Sequence, residues 1–116
     1  MIVSPTRLVG SDGRHFSLVA GRDYEVLGIE GDWYRILDET PEPVLFEPEC
    51  FRVLDATEPS FWVSTVGDDG ERYAYPAEWC HAGFFEDFFD RVPAALAQFS
   101  AILAARFPMT ASRRAG

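Results

Sequence analysis

The sequence predicts a mainly β domain that finishes in α-helix: a small β-barrel, then a β-hairpin and one or two amphipathic helices. Three observations predict it. Turn-forming residues cut the first half of the chain into short runs rich in aromatic and β-branched side chains. Two such runs flank Gly67-Asp68-Asp69-Gly70, a turn whose residues tolerate positive φ. Beyond Pro76 the apolar spacing changes to the steps of three and four that mark a helix. The chain has 116 residues and 47% hydrophobic content, which fits one compact domain with a modest core and argues against disorder.

The elements follow in order. Turns at 10–13, 20–23, 30–32 and 38–43 separate candidate strands at Arg7–Val9, His15–Val19, Tyr24–Ile29, Trp33–Leu37, Val44–Phe46 and Phe51–Leu54. Several short strands at this spacing suggest a small barrel or sandwich over residues 1–55, with Pro48 and Pro59 bracketing the last strand. Asp55–Pro59 reads as a connector, and Phe61–Val66 with Glu71–Tyr75 reads as the hairpin. Phe84, Phe85, Phe88 and Phe89 then recur at helical spacing, with Glu86, Asp87 and Asp90 opposite them. Pro93 can open a second helix, whose Leu96, Phe99, Ile102, Leu103 and Phe107 form the apolar stripe. Pro108 is expected to stop it. Residues 56–108 are expected to pack on the barrel, and 109–116, small, polar and basic, read as a flexible tail.

Charge narrows the functions. There are 19 acidic and 10 basic residues, a formal net charge of −9. That balance argues against nucleic-acid binding, which needs Lys and Arg at phosphates, and against anionic membrane surfaces. It suits a basic partner. All ten basic residues are Arg, and the chain has neither Lys nor Asn. Both missing residues have AT-rich codons, so the sequence reads as bacterial and GC-rich. Without Lys, Schiff-base and P-loop chemistry are excluded. No apolar run reaches the length of a membrane span and Met1–Pro5 lacks the pattern of a signal peptide, so the chain is expected to be cytoplasmic with Cys50 and Cys80 reduced.

The run Phe16-Ser-Leu-Val-Ala-Gly21, then Gly31-Asp32-Trp33-Tyr34, then Pro48-Glu-Cys-Phe51-Arg-Val53 resembles an SH3 or bacterial SH3-like domain, spanning roughly residues 6–55. The resemblance implies a five-stranded barrel with an aromatic groove for Pro-rich peptides. It places Trp33 at the groove tryptophan, Pro48 at the groove proline and Phe51 at the groove tyrosine. The chain has no counterpart of the A-L-Y-D-Y element near Thr6–Gly10, its Gly10–Arg14 loop is too short for the acidic loop, and Phe51 lacks the phenol. The hairpin and helices are additions to the family pattern.

Local chemistry is sparse. Cys80-His81 with Glu78 is the only local cluster of metal-type ligands. It lacks the paired spacing of a zinc site and the glycine-rich turn of a nucleophile, so it reads as ordinary loop, and no metal, cofactor or catalytic residue is assigned. Asp68-Asp69 reads as a solvated tip. The aromatic residues carry more information. Consecutive pairs such as Trp33-Tyr34 must send one ring to each face of a strand. Trp33, Tyr73, Tyr75 and Trp79 are therefore expected to gather near one acidic surface, with Glu86, Asp87 and Asp90 as its charged part. The expected function is a non-enzymatic protein-binding module for a basic protein or peptide. A bacterial immunity protein neutralising a toxin is a narrower form of the same reading. A small-ligand protein or enzyme, and an oligomer-forming subunit that dimerises through the Phe84–Phe107 helical region, are the alternatives.

Overall fold

The structure, a computed structural model, describes residues 1–115. Eight strands come first: β1 (Ile2–Pro5), β2 (Tyr24–Glu25), β3 (Gly28–Glu30), β4 (Trp33–Leu37), β5 (Pro43–Phe46), β6 (Phe51–Asp55), β7 (Trp62–Val66) and β8 (Arg72–Pro76). Helices α1 (Phe84–Phe89), α2 (Pro93–Arg106) and α3 (Pro108–Ala115) follow, with short 3-10 turns at Pro48–Cys50 and Ala77–Trp79. The mainly β class with C-terminal helices is as the sequence predicts.

The strands do not close into a barrel. They form a three-stranded sheet, β2-β1-β6, and a five-stranded sheet, β5-β4-β3-β8-β7. One bend explains the difference. Tyr24–Ile29, expected as a single strand, breaks at Val26-Leu27. The Val26 amide donates to the Met1 carbonyl and the Leu27 amide to the Arg35 carbonyl, so successive residues serve different sheets. Val26 is buried in one core and Leu27 in the other. The expected hairpin is present and docks β8 antiparallel on β3, pairing Ile29 with Ala74 and Glu30 with Tyr73. It thereby becomes part of the central sheet rather than an appendage, and the sheet ends on β7 instead of curling back to close.

Two expected strands, Arg7–Val9 and His15–Val19, meet only through the isolated bridge Val9–His15 around a tight turn at Gly13 (φ +84°). Phe16 and Leu18 still reach the core. An unforeseen strand, β1, is the centre of the smaller sheet, where Val3 is fully buried.

The five-stranded sheet is covered on both faces, which is why residues 34–37 of β4 are buried without alternation. Tyr34, Ile36, Phe46 and Ala74 face the smaller sheet with Val3, Tyr24 and Phe51. Leu37 and Tyr75 belong to the opposite core, built with Trp79, Phe84, Phe85, Phe88, Phe99 and Phe107. Trp79 anchors that core, stacked at 4.8 Å on Phe99 and 5.7 Å on Phe107. The apolar stripe of the C-terminal helices is thus largely buried within the chain itself.

Of the expected flexible tail at 109–116, residues up to Ala115 belong to α3, and Gly116 lies outside the described residues. Pro108 ends α2 and is also the first residue of the next helix, a position proline favours. Glu25 Oε1 accepts hydrogen bonds from the Thr110 amide and hydroxyl, both 2.8 Å, and the Arg113 guanidinium lies 5.0 Å from the Tyr24 ring centre. Both interactions join α3 to a strand far away in sequence, so no local pattern announces them. Among the described residues, no helix is long and apolar enough to cross a membrane.

Candidate functional site: an acidic aromatic cleft

Alternation along the strands places Glu30, Trp33, Arg35, Leu45, Val63, Thr65, Tyr73 and Tyr75 on one face of the five-stranded sheet. After β8, the chain turns through Ala77–Trp79 and the loop at 80–83, where Gly83 adopts φ +80°, and α1 comes to lie over this face. Between α1 and the sheet is an open cleft of about 830 Å³. Its floor is formed by Arg35, Glu30, Tyr73 and Tyr75, with Val63 and Thr65 along one side. Phe85, Phe89, Glu86, Asp90 and His81 come from the α1 side.

The floor is a closed polar network. Arg35 is only 5% exposed. Its Nε donates to the Tyr75 hydroxyl (2.9 Å), one terminal nitrogen to the Pro43 carbonyl (2.9 Å) and the other to Glu30 Oε1 (2.8 Å). Tyr75 donates its own proton to the same Glu30 oxygen at 2.9 Å. The Phe85 ring lies 4.0 Å below the guanidinium carbon. A buried guanidinium is tolerable only with such partners, since its desolvation is otherwise prohibitive. Burial pushes the Tyr75 phenol well above its ordinary range, against the opposing influence of Arg35. Gly28 makes the arrangement possible: a Cβ there would collide with the Tyr75 ring.

The rings nearer the mouth are open. Tyr73 is 37% exposed and Phe89 44% exposed. The carboxylates of Glu86 and Asp90 line the same cleft, and Arg35, the one arginine lining it among the described residues, is already paired with Glu30. The cleft therefore offers aromatic faces and uncompensated negative charge, a combination that attracts a cationic side chain.

Of the residues singled out from the sequence, Tyr73, Tyr75, Trp79, Glu86 and Asp90 line this one cleft, Trp79 as its fully buried back wall. Trp33, 40% exposed, sits just outside it. It pairs with Glu30, which pairs in turn with Tyr73, so the three side chains share a face. Asp87 does not line the cleft; its backbone carbonyl accepts from the Val92 amide at 3.0 Å. Pro48 and Phe51 lie elsewhere. Phe51 is buried against Tyr34 and Phe46, at 5.7 and 6.0 Å between ring centres. Tyr34 and Trp33 point to opposite faces of β4, so the groove implied by the SH3 resemblance, with Trp33, Pro48 and Phe51 together, is not assembled.

Comparison of the chain with protein-family models, with curated proteins and with solved structures finds no match. The site is therefore read from its own chemistry. Cys80 is exposed and Cys50 buried, and both are free. Although Cys80 is exposed, its thiol sits 3.4 Å from the Pro76 carbonyl oxygen, and the partial desolvation there, with Glu78 beside it, pushes its pKa up, favouring the unreactive protonated form. The His81 ring packs edge-on against Phe84. Among the described residues, no three His, Cys, Asp or Glu side chains converge as a metal site.

Arg35 and Glu30 are the site residues that sequence reasoning missed, and Phe89 enters that reasoning only through its helical spacing. Two signals pointed there. An arginine between Tyr34 and Ile36 interrupts a run that is otherwise apolar from Tyr34 to Leu37, and a lone glycine, Gly28, sits inside a strand. Together they mark a charged group and a close approach on the same sheet face.

Proposed function

We propose that this chain is a non-enzymatic binding module that takes a basic segment of a partner protein into the cleft between α1 and the five-stranded sheet. One observation carries the reading: open aromatic rings, Tyr73 and Phe89, share the cleft with the carboxylates Glu86 and Asp90, while the lining arginine, Arg35, is neutralised within the floor. Arg and Lys side chains match this lining twice over, through ring faces and through charge. The overall charge of −9 adds long-range attraction that speeds encounter with such a partner.

A decapeptide library tests the proposal, with alternate positions fixed as Arg or Lys in one half and as Glu or Asp in the other. The basic half is expected to bind and the acidic half not. Affinity should fall as salt rises, because the contacts lie within reach of screening ions. Glu86→Gln and Asp90→Asn should each weaken binding roughly two- to fivefold, the range for exposed charge pairs. Binding of both halves alike, or affinity indifferent to salt, contradicts the proposal.

A further inference from the structure

An antiparallel sheet has two outer strands, and each presents unpaired backbone groups unless something covers them. Three of the four outer strands here are guarded. β5 begins with Pro43, and the Arg14 guanidinium donates to the Leu45 carbonyl at 2.8 Å. β2 is only two residues long, and its Glu25 side chain is engaged by α3. β6 carries Arg52 and Asp55. The fourth, β7, reads Trp-Val-Ser-Thr-Val, with no charge and no proline. Its residues 63–66 are all exposed, and β7 pairs with β8 alone. This unguarded edge also borders the cleft, since Val63 and Thr65 line it.

We propose that β7 is the docking edge for the basic partner segment, which joins the five-stranded sheet as a sixth, extended strand. The proposal rests on the reading of the cleft given above and adds the geometry of engagement. Main-chain hydrogen bonds along β7 supply affinity independent of sequence, while alternate side chains carry the specificity. Side chains on the same face as Val63 and Thr65 lean over the cleft, where Arg or Lys reaches toward its carboxylates and open rings. Side chains on the other face see Ser64 and Val66 and need no charge. Five residues of β7 match about 16 Å of extended peptide.

Charge selects the occupant. The hairpin tip that ends β7 carries Asp68, Asp69 and Glu71, and Glu86 and Asp90 line the neighbouring cleft. A second copy of a chain with net charge −9 would bring its own acidic surface against this one, whereas a basic segment neutralises it.

The test uses the tightest-binding member of the basic decapeptide library, remade with a single backbone N-methyl group at each position in turn. Loss of about tenfold in affinity at alternate positions, with the intervening positions tolerant, is the expected result, because only every second amide of an added strand faces β7. Slowed hydrogen exchange at amides within Val63–Val66 on binding is expected alongside it. Tolerance of N-methylation everywhere by a peptide that still binds with salt dependence would overturn the added strand and leave the cleft reading standing. Failure of every basic peptide to bind removes both. A dimer of the free chain protected at Val63–Val66 would assign the edge to a second copy and likewise overturn the proposal.

Discussion

Arg35 holds the floor of the cleft in place, and its burial makes the cost of removing it calculable in order of magnitude. Arg35→Met leaves the Tyr75 hydroxyl with one partner fewer and strips a charge partner from Glu30. Glu30 keeps 38% side-chain exposure and can turn to water, so the loss falls below that of a fully buried broken pair. A destabilisation of about 2–4 kcal/mol is expected in urea unfolding. Adding Glu30→Gln to Arg35→Met should recover part of it, because the unpaired carboxylate is then gone. Tyr75 gives a pH signature. Its phenol is held above the ordinary tyrosine range by burial, so the folded chain keeps a proton that the unfolded chain releases near pH 10. Stability is therefore fully retained below that pH and declines as pH rises through the alkaline range. Burial raises the phenols of Tyr24 and Tyr34 as well, so the decline is shared. Between about pH 8 and about pH 10.5 the fall in urea midpoint should be smaller in Tyr75→Phe than in the parent chain.

The hairpin and helices α1 and α2 were legible because their signals are local. Gly67–Gly70 specifies a turn by its own backbone preferences, and the spacing of Phe84, Phe85 and Phe88 specifies a buried helical face without reference to the rest of the chain. That the sheet stays open was not legible, because it turns on β3 choosing β8 as a neighbour across some forty intervening residues. The same distance hides the site network, in which Arg35 and Glu30 meet Tyr75 from 40 and 45 residues away. The i, i+2 relation of Tyr73 and Tyr75 did put both rings on one face, and helical spacing put Glu86 and Asp90 on one side of α1. Alternation alone could not say that Tyr34, rather than Trp33, turns toward Phe51. Helix α3 is the extreme case, since its Thr110 is held by Glu25 from 85 residues away. Glu25→Ala should leave α3 fraying while both cores persist. Amides within 111–114 should then exchange markedly faster and those of α2 should be unchanged. Equal acceleration in both helices would show instead that α3 and α2 open together.

The two cores sit on opposite faces of one sheet, and the cleft opens where the second core runs out of helix to cover it. The Trp79 stack and the Arg35 network therefore form a rigid floor, while the mouth between Phe89, Tyr73 and the β7 edge stays available. Rigid floors favour recognition, because little ordering is left to be done on binding. The acidic balance of the composition reaches this mouth through Glu86 and Asp90, which line the cleft. Amide chemical-shift mapping with the tightest basic decapeptide tests that placement most directly. Perturbations should concentrate at Val63–Val66, Tyr73 and residues 81–90 and be absent from α3 and β6. Shifts centred on α3, on β6 or around Pro48 and Phe51, with the cleft amides unmoved, would contradict it.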